Sequence, residues 1–448
     1  MVVVGPFSTQ YVRYNPKPAD ITAKLKTHFK RLPPRPKIPA YAEALRRAAQ
    51  DYKLAHKIHP YHLNDVIRRY PHPERSPGLP YTTEGMRHKY EVPPNRIKSF
   101  IHNIKYGHFK RCKTPCNAVA KTVVAKEPKF RLIWVYPCHM TMAEGMFTMP
   151  LVQAYQAKRG SNAIWVQYTR GHMKTLLSRR IKGYEWMGLD WSAFDSNVPA
   201  WMIRDAFKIL RDQLDFSEYQ EWGKPTDDAT LDRLWNALVH YFINTPVKFP
   251  DGHVEVTHDT VPSGSGFTNL VDSVSCSIMK HFLLIYHAIK YQREANWECG
   301  DDGKTSVEKG KVNLLEIAHT ALKTFGAIMN TEKSELGEHV SFMGYKPGTG
   351  LDHGIPQASY TKLTAQLLLP SCPDRSINDF ATRIRALQLS CFGIGCRRFL
   401  YESQSLLVSM GIPDPDAPHI RSELRTKLEF LNLEWPSLNA VIGYVYSC

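Results

Sequence analysis

Residues 295–307 read ANWECGDDGKTSV, so two adjacent carboxylates, Asp301 and Asp302, sit at a glycine-flanked turn between strand-prone arms. Like charges held this tightly repel, and a fold that keeps them must solvate them or supply a counter-charge. Taken alone, Gly-Asp-Asp is an ordinary turn composition. A second acidic segment, GLDWSAFDSNVP, changes that reading: Asp190 ends the strand-like run YEWMGLD, and Asp195 follows five residues later. On an extended strand an odd spacing puts two side chains on opposite faces, so the backbone must curl between them if both serve one site. Asp195-Ser196-Asn197 has capping residue types and leads into the amphipathic helix PAWMIRDAFKILRDQL, with Pro199 near its first turn. Neighbouring strand ends would then bring Asp190 to the Asp301-Asp302 turn. Three hard carboxylates gathered in this way suit Mg2+ or Mn2+ better than thiolate-seeking metals. Two such ions roughly 3.5 to 4 Å apart fit an in-line phosphoryl displacement.

Charge outside these segments is uneven. The 448 residues carry a formal +16, and residues 1–150 hold 27 Lys and Arg against 9 Asp and Glu. A basic excess confined to the first third favours a polyanionic partner, of which nucleic acid is the commonest. The segment TVVAKEPKFRLIWVYP, residues 122–137, reads as a hairpin around Glu127-Pro128, with Lys126, Lys129 and Arg131 at or near its tip. Such cations can grip a triphosphate, Arg131 through its bidentate fork. In VPSGSGFTNLVDS, the loop Ser263, Gly264, Ser265, Gly266 precedes Thr268, Asn269 and Asp272 at the start of a long helix. Glycines permit close approach to a template or nucleotide backbone, and the hydroxyl and carboxylate can hydrogen-bond a sugar.

Hydrophobic residues at 43% and charged ones at 22% exclude a largely disordered chain. Nine cysteines fit free thiols in a reducing compartment, and neither CKTPC nor CFGIGC has zinc-ligand spacing. The start MVVVGPFSTQ lacks a signal-peptide pattern and no 18-residue apolar run follows, so an intracellular protein with no membrane span is expected. The first 120 residues, punctuated by NPKPAD, RLPPRPKIP, YPHPERSPGLPY and EVPPNR, suggest a loop-rich lobe. Helices are predicted over residues 42–58, in TNLVDSVSCSIMKHFLLIYHAIKY and in KVNLLEIAHTALKTFG, and a hairpin over VKFPDGHVEV at Asp251-Gly252. In the C-terminal region Phe380, Ile384, Leu387, Cys391 and Ile394 keep helical spacing.

In order, these segments resemble the viral RNA-dependent RNA polymerases, most closely those of the partitivirus group and its picobirnavirus relatives. DWSAFD resembles motif A, SGSGFTNLVDS motif B, CGDD motif C, FGAIMNTEKSEL motif D, VSFMGY motif E and KEPKFRLIW motif F, and SPGLPY is similar to motif G, where the template enters. The resemblance implies an α+β right-hand polymerase. Its fingers and N-terminal region would be residues 1–185, its palm 186–200 and 255–345, a fingers insertion 201–254 and a helical thumb 346–448. It implies Asp190, Asp301 and Asp302 as ligands of two Mg2+ or Mn2+ ions and Lys333 as general acid. Lys126, Lys129, Arg131, Asp195, Ser263, Thr268 and Asp272 would surround the nucleotide, and Ser76, Gly78, Pro80 and Gly264 the template. Many positive-strand RNA virus polymerases have Asn where this chain has Asp272. The implied partners are RNA template and product, NTPs and a viral capsid protein, with no membrane; the implied place is the host cytoplasm, within the virion of a double-stranded RNA virus.

Two alternatives remain. A reverse transcriptase shares the palm logic, but this chain has Cys299 and Asp195 where such enzymes usually carry aromatic residues. A non-enzymatic basic RNA-binding or packaging protein would leave the acidic cluster incidental.

Overall fold

A computed structural model describes residues 2–108, 111–227, 229–350, 353–391, 393, 396–416 and 437–446. The chain starts with the hairpin β1 (Val2–Val4) and β2 (Phe7–Thr9), followed by β3 (Val12–Arg13). Then come α1 (Pro18–Lys26), α2 (Pro39–Tyr52), α3 (Leu63–Arg69) and α4 (Pro94–Lys105). The lobe expected to be loop-rich is therefore substantially helical. Pro18, Pro39 and Pro94 lie in the first turns of their helices, where a missing N–H costs nothing, so these prolines start helices instead of breaking them. The helix predicted at residues 42–58 begins earlier and stops at Tyr52.

The basic hairpin forms between β4 (Cys116–Thr122) and, beyond β5 (Val124–Ala125), β6 (Phe130–Val135), with Thr122 opposite Phe130. Its first arm lies earlier than predicted because Val124 and Ala125 pair with Arg13 and Val12 of β3 instead. α5 (Cys138–Lys158) is buried right around its first three turns, and α6 (His172–Leu177) leads to the central sheet.

β7 (Tyr184–Leu189) is the predicted buried strand; β8 (Trp191–Ser192) and a 3-10 turn at Phe194–Asn197 connect it to α7 (Ala200–Arg211). α8 (Thr230–Ile243) and the predicted hairpin β9 (Pro246–Lys248) and β10 (Val254–Val256) follow. β9 runs parallel to β4, so this hairpin and the basic hairpin share one sheet, β10-β9-β4-β6. The central unit is completed by α9 (Thr268–Tyr286), β11 (Tyr291–Cys299), β12 (Asp302–Glu308), α10 (Leu314–Phe325), β13 (Ile328–Met329) and β14 (Glu335–Gly337). Its sheet has the order β11-β12-β7-β14 with antiparallel pairing, and α9 packs on β11 and β12, giving the expected α+β class.

A small ladder of β15 (Lys346–Pro347) and β16 (Pro356–Gln357) precedes α11 (Tyr360–Leu368), α12 (Ile377–Gln388), α13 (Arg397–Ser409) and α14 (Leu438–Tyr446). Phe380, Ile384 and Leu387 lie on α12, but the helix ends at Gln388, so Cys391 falls in the connection; Ile394 lies outside the described residues. These helices form a second core, into which Phe7 of β2 is fully buried against Phe399. Arg13 donates to Leu369 O at 2.6 Å and to Thr122 Oγ1 at 2.9 Å. Residues 2–13 thus strap the C-terminal helices to the basic hairpin. No described helix is long and apolar enough to cross a membrane, and the eight described cysteines are free thiols.

Candidate active site

Antiparallel pairing unites the acidic segments. Leu189 faces Gly303 across β7 and β12, so Asp190 and the Asp301-Asp302 turn leave the sheet at the same end. Cys299 pairs with Asp302, and the turn between them is Gly300-Asp301. Gly300 has φ 67°, in the left-handed region that a glycine enters without a Cβ penalty. Its N–H donates to Ser273 Oγ of α9 at 2.8 Å. On the facing strand end, Asp190 N–H donates to Ser334 Oγ at 3.1 Å, and Asp190 O accepts from Asn330 N–H at 2.8 Å. These bonds hold the segment carrying Lys333 beside the first carboxylate. The outcome is a cavity of about 250 Å³ lined by Asp190, Asp301, Asp302, Lys333 and Glu335.

The carboxylates feel one another. Burial raises Asp301 above the usual carboxylate range; Arg131 opposes the rise and Asp190 adds to it. Burial, then the charge of Asp301, push Asp302 up to about 6, even though Met343 N–H donates to its Oδ2 at 2.6 Å. Asp195 is likewise pushed up to about 6 by burial and by Asp301, with Arg131 pulling it down. Asp272, buried on α9, is raised by burial, Asp195 and Asp301, and its Oδ1 finds no hydrogen-bond partner among the described residues. A set of mutually repelling carboxylates with only oxygen donors fits hard divalent cations. Among the described residues no three His, Cys, Asp or Glu side chains close on a single point as a ready cation cluster.

The required curl between Asp190 and Asp195 is present. Ala193 takes φ 50°, the 3-10 turn follows, and Asp195 O accepts from Val261 N–H at 2.8 Å and Thr260 Oγ1 at 2.9 Å. The expected capping of α7 by Asp195-Ser196-Asn197 is not observed. Those residues form the 3-10 turn itself, and Asp259 Oδ1 accepts from Ala200 N–H at 2.7 Å in their place.

In the loop before α9, Ser263 Oγ donates to Leu132 O at 3.1 Å, and Thr268 Oγ1 lies 2.7 Å from Pro262 O. A Cβ on Gly264 would stand 1.6 Å from Trp134 O. The close approach that this glycine permits is therefore to β6 of its own chain. Glu144 of α5, which the sequence did not single out, anchors the loop: its Oε1 accepts from Ser265 Oγ and its Oε2 from Gly266 N–H, both at 2.7 Å. Burial pushes Glu144 up to about 8 from its ordinary 4.5, against both hydrogen bonds. Its folded value lies above its unfolded one, so its stabilising share is full below the unfolded value and is lost as pH rises to the folded value. Glu144→Gln removes the ionisation and is expected to gain stability relative to wild type from pH 5 to 8, the difference levelling off above. Urea denaturation across that range checks this; parallel curves would contradict it.

A family model described as viral RNA-dependent RNA polymerase matches residues 20–363. The chain belongs to that family. The chain is 27% identical over 300 residues to the RNA-directed RNA polymerase of Cryptosporidium parvum virus 1 (strain KSU-1), a match covering 61% of this chain and 54% of that protein. It thus spans about half the length of this curated relative. The crystal structure of the RNA-dependent RNA polymerase of a human picobirnavirus superposes with TM-score 0.69 at 14% identity, covering 88% of this chain and 75% of that one. Its insertion-loop deletion mutant gives TM-score 0.66 at 15% identity, covering 95% and 82%. These likenesses show the fold, a right hand of fingers, antiparallel palm and helical thumb.

Of the residues singled out in the sequence, Asp190, Asp301, Asp302 and Lys333 meet in the cavity, while Asp195 and Asp272 are linked to it by charge. Arg131 acts on both Asp195 and Asp301; Lys126 and Lys129, exposed near the same hairpin tip, do not line the cavity. Ser76, Gly78 and Pro80 also lie outside its lining. Gly78, at φ 67°, would place a Cβ 2.6 Å from Tyr136 O, and Cys138 N–H donates to Pro77 O at 2.7 Å, so this segment is seated on the start of α5. The structure adds cations that the motifs did not reveal. Lys24 donates to Phe130 O at 2.6 Å, and its pKa is lowered by burial and then by Lys129 and Arg131; Lys30 donates to Asn197 Oδ1. The only sequence signal for either was the basic excess of the first 150 residues.

Proposed function

We propose that this polymerase copies RNA for a double-stranded RNA virus, the 3′-hydroxyl of growing RNA attacking the α-phosphate of an NTP as pyrophosphate leaves. The supporting observation is the single cavity shared by Asp190, Asp301, Asp302 and Lys333 at one end of the central sheet. Asp190, Asp301 and Asp302 would hold two Mg2+ or Mn2+ ions, whose chemistry there is to favour the attacking alkoxide and neutralise the leaving oxygen. Arg131, with Lys126 or Lys129, holds the NTP phosphates. Asp195 hydrogen-bonds the ribose 2′-hydroxyl, and Ser263, Thr268 and Asp272 position the nucleotide. Lys333 gives a proton to departing pyrophosphate. Ser76, Gly78, Pro80 and Gly264 guide the template.

Residues 1–185 and 201–254 then form the fingers, 186–200 and 255–345 the palm, and 346–448 the thumb. The shared sheet β10-β9-β4-β6 supports placing the insertion with the fingers. The product RNA, a capsid protein as docking partner and a place within the virion in the host cytoplasm complete the proposal. Incorporation of labelled nucleotides on single- and double-stranded templates, without primer and with Mg2+ or Mn2+, tests it. NTP incorporation that a chelator stops is expected. A preference for dNTPs would favour a reverse transcriptase, and salt-sensitive RNA binding without incorporation would favour a packaging protein.

A further inference from the structure

A second cavity, of about 260 Å³, opens where His62, just before α3, the C-terminal end of α4 and residues 219–226 meet; it shares no lining residue with the acidic cleft, and its walls are aromatic and basic. Trp222 is held in a fixed orientation: its Nε1–H donates to Asp65 Oδ2 at 2.6 Å, and its ring stacks on His62 at 4.3 Å between centroids and 20° between planes. The indole nevertheless stays 51% exposed, and Tyr106 across the cavity is 39% exposed. Lys105 donates to Tyr219 Oη at 2.6 Å and lies 5.0 Å from that ring's centroid.

The acids nearby are already neutralised. Asp65 pairs with Arg68, Glu221 with Arg69 and Asp227 with Arg233, whereas Lys105 and Lys224 have no ion-pair partner among the described residues. Burial alone pushes Lys105 down to about 8, with no carboxylate holding it up. A phosphate would be its counter-charge.

α4 connects this cavity to the segment proposed to guide the template. Arg96 near its start lies over the Tyr81 ring at 4.8 Å, and Lys105, which ends the helix, lies nine residues or about 14 Å further along its axis. Ile97, Ile101 and Ile104 face the core, while Lys98, His102 and Lys105 follow at the same i, i+4, i+7 spacing one position on, a basic stripe leading into the cavity. Rigid aromatic faces beside unpaired cations are what single-stranded nucleic acid uses to stack its bases and settle its phosphates.

We propose that this cavity takes a nucleotide of single-stranded RNA outside the catalytic cleft, its base against Trp222 and its phosphate between Lys105 and Lys224. The placement on a template path rests on the polymerase reading, but the test reads binding alone and is independent of catalysis. Fluorescence anisotropy with an unstructured labelled RNA oligonucleotide is measured for wild type, Trp222→Ala and the exposed-lysine variant Lys224→Ala, with AMP titrated separately.

Trp222→Ala should weaken the oligonucleotide about tenfold. Lys224→Ala should weaken it less and reduce the steepness of its salt dependence by roughly 0.7 in log–log slope. Unchanged oligonucleotide affinity in Lys224→Ala and in a folded Trp222→Ala, folding being checked by the denaturation midpoint, overturns the proposal. If Trp222→Ala fails to fold, an unchanged affinity and salt slope for Lys224→Ala suffices to overturn it. Loss of AMP binding with the oligonucleotide unaffected would identify a free nucleotide as the ligand and overturn the strand assignment.

Discussion

Asp301→Asn is expected to cut nucleotide incorporation by roughly a thousandfold while RNA binding persists. The substitution is nearly isosteric, so the Gly300-Asp301 turn and its bond to Ser273 Oγ at 2.8 Å survive. What disappears is one negative charge at the point where Asp195, Asp272 and Asp302 already feel it. A ligand that stabilises transition-state charge by about 4 kcal/mol accounts for a loss of that size. RNA affinity should hold or rise slightly, because the basic surfaces are untouched and a repelling charge is gone. For the same reason folding stability should not fall. Single-turnover incorporation, RNA binding and denaturation measured on one preparation separate these effects, and near-normal incorporation would refute the ligand role of Asp301.

The second large effect is structural. Lys280 of α9 and Glu298 of β11 form an ion pair at 3.0 Å with side chains 1% and 0% exposed. Lys280 Nζ also donates to Trp297 O at 3.0 Å and Thr305 Oγ1 at 2.8 Å, so one ammonium fastens the helix to both arms of the β11–β12 hairpin that carries Asp301. Burial raises Glu298, and Lys280 restrains the rise. Lys280→Met strands a buried carboxylate and should destabilise the protein by about 3–5 kcal/mol. Lys280→Met/Glu298→Leu should recover much of that loss, since an apolar pair of similar volume carries no desolvation cost. Urea denaturation of both variants decides it; a single variant as stable as wild type would show that the pair contributes nothing net.

The parts of this molecule legible in its sequence are those governed by local rules. β7, α7, α9, α10 and the Asp251-Gly252 hairpin follow from alternation, amphipathic spacing and turn chemistry, and the meeting of Asp190 with Asp301 and Asp302 follows from strands that end together. α5 escaped because a helix buried around its circumference offers no apolar stripe to a 3.6-residue period. With it went Glu144, whose role depends on a loop more than a hundred residues away. Pro18, Pro39 and Pro94 were misjudged because the same residue that interrupts a helix interior is at ease in its first turn. Lys24 and Lys30 could not be read from spacing, since only tertiary packing brings α1 and the residues after it to the basic hairpin and the curl around Asp195.

The fastening of Phe7 among the C-terminal helices, with Arg13 bridging Leu369 and Thr122, makes those helices and the basic hairpin one mechanical unit. Without residues 2–13 that unit would come apart, and the C-terminal helices would open independently of the hairpin.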